Sequence, residues 1–149
     1  MCKIAYFVYC DSILPIPVSP HQNFVFQLTN PLSILFPMCM PSGFSFSVSF
    51  AVMGVDTTVS DSTIRVDFCD PNEKVIHSSG ELNVPKDEMM QKGLPIEYRG
   101  FSANMDLRNV FLEMEGEYAS HVYLNNTLLG KYVIYVMKKP ATGDVWQMN

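Results

Sequence analysis

Basic charge is scarce in this chain and never gathers. Lys and Arg number 10 against 15 Asp and Glu, the net charge is -5, and only Lys138 and Lys139 stand side by side. A phosphate backbone is held by clustered cations, so nucleic acid is not an expected partner. Long apolar runs are also missing: none approaches the roughly 20 residues of a membrane helix, and no membrane partner is expected. The four cysteines, Cys2, Cys10, Cys39 and Cys69, form no Cys-x-x-Cys, and His21, His77 and His121 fall at no zinc-like spacing. Neither a redox pair nor a metal site is expected, and the thiols are expected to be reduced. The eight glycines are scattered, with no phosphate-binding loop and no Gly-x-Ser-x-Gly elbow. No repeat, low-complexity tract or charge block divides the chain.

What is present is a foldable, β-rich composition. Hydrophobic residues make up 48% and charged residues 17% of 149 residues, which is enough for one core without disulfides or metal. A single domain over residues 1–139 is expected, with a tail over 140–149 that holds the lone Trp146. Ile4 to Tyr9 reads as a first strand. The apolar run there is stopped by Asp11, no small-residue cleavage site precedes it, and Tyr9 is too bulky for a lipoprotein site before Cys10. The address this predicts is cytoplasmic.

Alternation then identifies the strands. Phe44, Phe46, Val48, Phe50 and Val52 share one face, while Ser45, Ser47, Ser49 and Ala51 share the other, as in a half-buried strand. Thr63 to Cys69 and Lys74 to His77 form a hairpin about the turn Asp70-Pro71-Asn72-Glu73, with Ile64, Val66 and Phe68 on its apolar face. Leu94 to Ser102 and Leu107 to Met114 read as two strands, and the proline-punctuated segment leaves room for strands near Phe24 to Leu28 and Leu32 to Phe36. Lys86 to Lys92, with acidic residues first, Lys92 last and Gly93 beyond, predicts one short crossover helix. Tyr118 to Leu124 and Leu128 to Met137 flank Asn125-Asn126-Thr127, a closing hairpin. The sum is about seven to nine antiparallel strands, an all-β sandwich or barrel.

Ile4 to Cys10, Glu115-Gly-Glu-Tyr118 and Val122 to Val136 together resemble an uncharacterised family of small bacterial and phage-associated proteins with an immunoglobulin-like β-sandwich. The resemblance implies that sandwich and carries no assigned activity. In such a fold the Tyr118 hydroxyl is expected to hydrogen-bond backbone near a strand corner, a structural role.

The sequence predicts a non-enzymatic interaction module with no cofactor. Its histidines read as surface or partly buried groups and its serines lie mostly in an alternating strand, far from any nucleophile pattern. Glu113, Glu115 and Glu117 read as a solvated stripe, because carboxylates spaced along a strand do not converge on a cation. Tyr132, Ile134 and Val136 line one side of the last strand, and Val133, Tyr135 and Met137 the other. One of these sets must lie under a loop or against another chain. Tyr123 and Tyr135 are expected as cross-strand neighbours, so Tyr123, Val133, Tyr135 and Met137 are the candidate interface, with self-association or a protein partner as its use. Two alternatives stand beside this: a ligand- or metal-binding sandwich using Asp67, Asp70 and Glu73 in its end loops, and a phage structural or host-directed protein.

Overall fold

A computed structural model describes residues 2–17, 24–87 and 91–140 of the chain, with the Phe24 side chain outside that set. Ten strands run in the order β1 (Lys3–Pro17), β2 (Phe24–Leu32), β3 (Ile34–Leu35), β4 (Ser42–Met53), β5 (Ser62–Cys69), β6 (Val75–Ser78), β7 (Leu82–Val84), β8 (Gly100–Leu112), β9 (Gly116–Leu124) and β10 (Thr127–Val136). One sheet has the order β2-β1-β4-β8. The other runs β3-β10-β9-β5-β6, with β7 also on β5. Every pairing is antiparallel except β3 on β10.

The core lies between the sheets. Phe46, Val48, Phe50 and Val52 of β4 are fully buried against Phe68 of β5, Tyr118 and Val122 of β9 and Ile134 of β10. Phe46 and Phe68 meet at 5.2 Å between ring centroids, and Phe68 stacks on Tyr118 at 5.6 Å. Truncating one such ring leaves a cavity that costs about 3–5 kcal/mol. Tyr9 crosses the layer: its hydroxyl meets the Ser120 hydroxyl at 2.7 Å and donates to the Tyr132 carbonyl at 2.5 Å. These bonds join β1 in one sheet to β9 and β10 in the other.

Strand order and corner chemistry make this an immunoglobulin-like sandwich. In such folds a tyrosine at the start of the penultimate strand bonds backbone a few residues upstream. Here Tyr118, near the start of β9, donates to the Met114 carbonyl at 2.7 Å. Two residues on, where antibody domains place a disulfide cysteine, stands Ser120, bonded to Tyr9.

The two best-marked turns form as their residues dictate. Asn125 and Asn126 adopt φ of 47° and 66°, the left-handed pair of a type I′ hairpin turn. Asp70 holds the β5–β6 turn by accepting, at one carboxylate oxygen, the N–H groups of Asn72 and Lys74 at 2.9 Å each.

Four expectations are corrected. No crossover helix forms at Lys86, Asp87, Gln91 or Lys92. Residues 88–90 lie outside the described set, and the helical element that is described is a single 3-10 turn, Ile96–Tyr98. The helix pattern is only about two turns long, too short to persist without an apolar face to pack. The two strands read at Leu94 to Ser102 and Leu107 to Met114 are one, β8, because β4 is long enough to pair it from Gly100 to Leu112. A bulge opposite Phe44–Phe46 absorbs the irregular stretch, with Asn109 at φ 52°. The strand count is ten because short β3 and β7 add to the longer strands. Finally, β4 is buried on both faces: Ser47 and Ser49 are 0% and 2% exposed, flanked by Cys10 and Val8 of β1 and by Asp106 and Asn104 of β8. Ser47 is satisfied there by donating to Asp106 Oδ1 at 2.6 Å. The expected tail and Trp146 lie outside the described residues, as does His21.

Candidate interaction surface

The closing hairpin carries the residues expected to form an interface. A two-residue turn at Asn125-Asn126 sets Leu124 opposite Thr127 and Tyr123 opposite Leu128, and a bulge at Leu129 shifts the rest by one. Tyr135 therefore faces Glu117, and Tyr123 is at the far end of the hairpin. The expected Tyr123–Tyr135 pair does not form. Tyr123 instead lies beside Arg65 of β5, whose guanidinium carbon sits 4.2 Å from the ring centroid. Met137 is half-buried, and its N–H donates to the Leu35 carbonyl at 3.0 Å. Val133 and Tyr135 are 58% and 45% exposed, so the described residues do not cover them. Around them the sheet carries Glu117, His121 and Lys131, which breaks the patch into small apolar islands.

The acidic groups do not converge. Asp70 is occupied by its turn, and Asp67 accepts from Arg65 Nε at 3.2 Å and from the Ser78 hydroxyl at 2.6 Å. Glu115 accepts the Lys138 N–H at 2.9 Å in the corner before β9, off the strand that carries Glu117. Among the described residues no three His, Cys, Asp or Glu side chains gather as a metal would require.

One juxtaposition has no signal in the sequence. The Cys69 Sγ lies 3.8 Å from His121 Nδ1, brought there by the register of β5 against β9. Burial pushes the Cys69 thiol pKa up, and the negative charges of Asp67, Asp70 and Glu73 push it further.

Several exposed apolar residues gather on a ribbon formed by β1 and β2. Pairing of β1 with β4 ends at Cys10↔Ser47, yet β1 runs on with β2 alone to Pro17↔Phe24. In register, Leu14, Ile16 and Val25 share one face of this two-stranded extension, and Ile13, Leu28, Pro15 and Phe26 the other. Leu14 is 52% exposed, Ile16 39%, Val25 54% and Phe26 52%. At the base, Asn30 Nδ2 donates to Asp11 Oδ2 at 2.7 Å. A recess of about 580 Å³ opens beside it, lined by Leu32, Ile34, Phe36, Met38 and Phe44 together with Asp11, Asn30 and Lys139. The sequence carries a sign of this region that strand-by-strand reading passes over: residues 12–55 contain no Asp, Glu, Lys or Arg.

No family model matches the chain, and no curated protein matches it. Several solved structures are similar in fold, two of them as follows. One is the alkylpurine DNA glycosylase AlkC of Pseudomonas fluorescens, bound to DNA containing an abasic-site analogue. It is 10% identical over 91% of this chain, with a TM-score of 0.44, and this chain spans 30% of its length. The other is an immunoglobulin-like protein of Pseudomonas aeruginosa, 14% identical, matched over 92% of this chain and 97% of its own, with a TM-score of 0.43. At these scores neither brings an activity to this chain. No helix among the described residues is long and apolar enough to cross a membrane.

Proposed function

We propose that this protein is a non-enzymatic β-sandwich module that works by protein–protein contact, with the β1–β2 ribbon as its principal contact element. The carrying observation is that the ribbon is apolar on both faces while only two strands thick. A two-stranded ribbon is marginal in water, and exposed apolar side chains on both its faces are stabilised by being covered. Val133 and Tyr135 on the closing hairpin supply a second, smaller patch. A cytoplasmic address belongs to the same proposal. The bacterial or phage-associated setting implied by the resemblance, with a structural or host-directed role, belongs to the same proposal.

An environment-sensitive apolar dye tests the reading on dilute, folded protein. The native chain is expected to enhance dye fluorescence, and Leu14→Lys with Val25→Lys to abolish most of that signal without lowering the melting temperature. Native protein that leaves the dye dark, or a double variant as bright as the parent, would sink the proposal.

A further inference from the structure

The ribbon's two outer edges differ, and the difference follows from proline chemistry. Pro15 pairs with Phe26 and Pro17 with Phe24. Proline has no N–H, so neither can exchange the two N–H···O bonds of a hydrogen-bonded antiparallel pair. Both are non-hydrogen-bonded pairs, and Leu14↔Gln27 and Ile16↔Val25 carry the ladder between them. Two consequences follow. The backbone groups of residues 15 and 17 point away from β2, so the outer edge of β1 lacks two donors. On β2, the N–H and C=O of Phe26, and of Leu28 two residues on, point outward along an edge that no other strand among the described residues covers.

Edge strands in native sheets are normally guarded by a charge, a proline or a bulge that stops a second strand from adding. From Phe24 to Thr29, β2 has none of these guards, with no charged residue, no proline and an unbroken register; Asn30, at φ 54°, and Pro31 end the unguarded stretch. The same segment lies in the uncharged stretch of a chain whose net charge is -5. Two copies of an acidic protein repel one another across most approaches, and the uncharged edge is where they meet at least electrostatic cost. An edge is also self-complementary. Antiparallel pairing about a two-fold axis uses the same residues on both partners and closes without leaving a free copy of the surface.

We propose that two copies of this chain associate through β2, edge to edge and antiparallel, with Phe26 of each on the two-fold axis. The deduction rests on the contact reading above and names its partner. The outward-pointing groups of Phe26 then exchange bonds with their symmetry mates, and those of Leu28 meet residue 24 of the second copy. The sheet β2-β1-β4-β8 becomes continuous across the dimer. Phe26, 52% exposed in the single chain, gains an aromatic cross-strand neighbour.

Light scattering from micromolar to millimolar concentration is the test, on the full chain and on two variants. Phe26→Pro removes an outward N–H without touching the ladder to β1, because Phe26 faces a proline in a non-hydrogen-bonded pair. Tyr135→Glu charges the closing hairpin instead. The expected result is a mass rising from 16.8 kDa toward twice that value in the parent and in Tyr135→Glu, and staying at 16.8 kDa in Phe26→Pro. A parent that remains single at every concentration overturns the dimer. So does a dimer that survives Phe26→Pro, or one dissolved by Tyr135→Glu. Amide exchange on the parent guards against a misfolded variant: protection at Phe26 and Leu28 must rise with concentration, and equal exchange at both ends of the series also overturns the proposal. A single-chain parent that still lights up the dye would remove self-association and leave the contact module standing.

Discussion

At the scale of single residues, the buried side-chain nitrogen and oxygen atoms among the described residues each have a hydrogen-bond partner. Tyr118 is fully buried, and its hydroxyl both donates to the Met114 carbonyl and receives the Met114 N–H at 3.4 Å. Removing that hydroxyl leaves the carbonyl of the corner short of a donor, which typically costs ~1–3 kcal/mol. Tyr118→Phe is therefore expected to lower the unfolding free energy by about that amount, with an unchanged denaturant slope in a urea titration. This residue was legible because a Gly-x-Tyr ahead of an apolar strand signals a corner. The Cys69–His121 approach was not legible, since both partners depend on how β5 and β9 align.

At the scale of elements, the loops at one end are tied by side chains. Arg99 bridges Asp56 at 2.9 Å and Thr58 at 3.3 Å with one guanidinium nitrogen, and donates to the Leu94 and Lys92 carbonyls with the others. Gln91 links Thr57 to both backbone groups of Gly100. Asp56 has its carboxyl pKa lowered, first by hydrogen bonds from Thr58 and then by Arg99. Arg99→Ala is expected to raise amide exchange over residues 54–58 and 91–99 while leaving β4 and β9 protected; uniform deprotection would show instead that these loops unfold only with the whole. Gly100 stands where this end joins β8, and any Cβ there would strike the Val52 carbonyl. The hairpin register belongs to this scale too. Once Asn125-Asn126 is accepted as a two-residue turn, Tyr123 must face Leu128, so the distance between Tyr123 and Tyr135 follows from the turn itself.

At the scale of the whole molecule, the two sheets are joined by phenols and rings. Phe7 stacks on Tyr132 at 4.6 Å, beside the Tyr9 bonds that span the layer. Burial is the leading cause that raises the phenol pKa of Tyr9, Tyr118 and Tyr132 above the ordinary 10.0, and the thiol pKa of Cys10 and Cys69 above 9.0. A group whose folded pKa is raised holds its proton more tightly in the native state. Its contribution to stability is complete below the unfolded value and is lost as pH climbs toward the folded one. The protein is thus expected to hold constant stability through neutrality and to weaken once pH passes the thiol and then the phenol range. Tyrosine absorbance at alkaline pH checks it: the buried phenols of Tyr9 and Tyr118 should ionise together with unfolding, and their independent ionisation in a folded chain would contradict their burial.

The sequence alone was sufficient for what is decided locally. Alternation along β4, β5 and β9, the Asp70 and Asn125-Asn126 turns, and the tyrosine near the start of β9 are each written in a few adjacent residues, and their number leaves a sandwich or a barrel. What needed the tertiary structure was every feature that depends on which strand lies beside which. Whether residues 100–112 make one strand or two is set by the length of β4, and whether Ser47 is wet or buried is set by its neighbours on β1 and β8. The ribbon is such a case as well. Its apolar residues look in sequence like core material, and only the point where β4 stops pairing with β1 turns them outward. The physical reason is that backbone propensity acts over a few residues, whereas exposure is decided by partners far away in the chain.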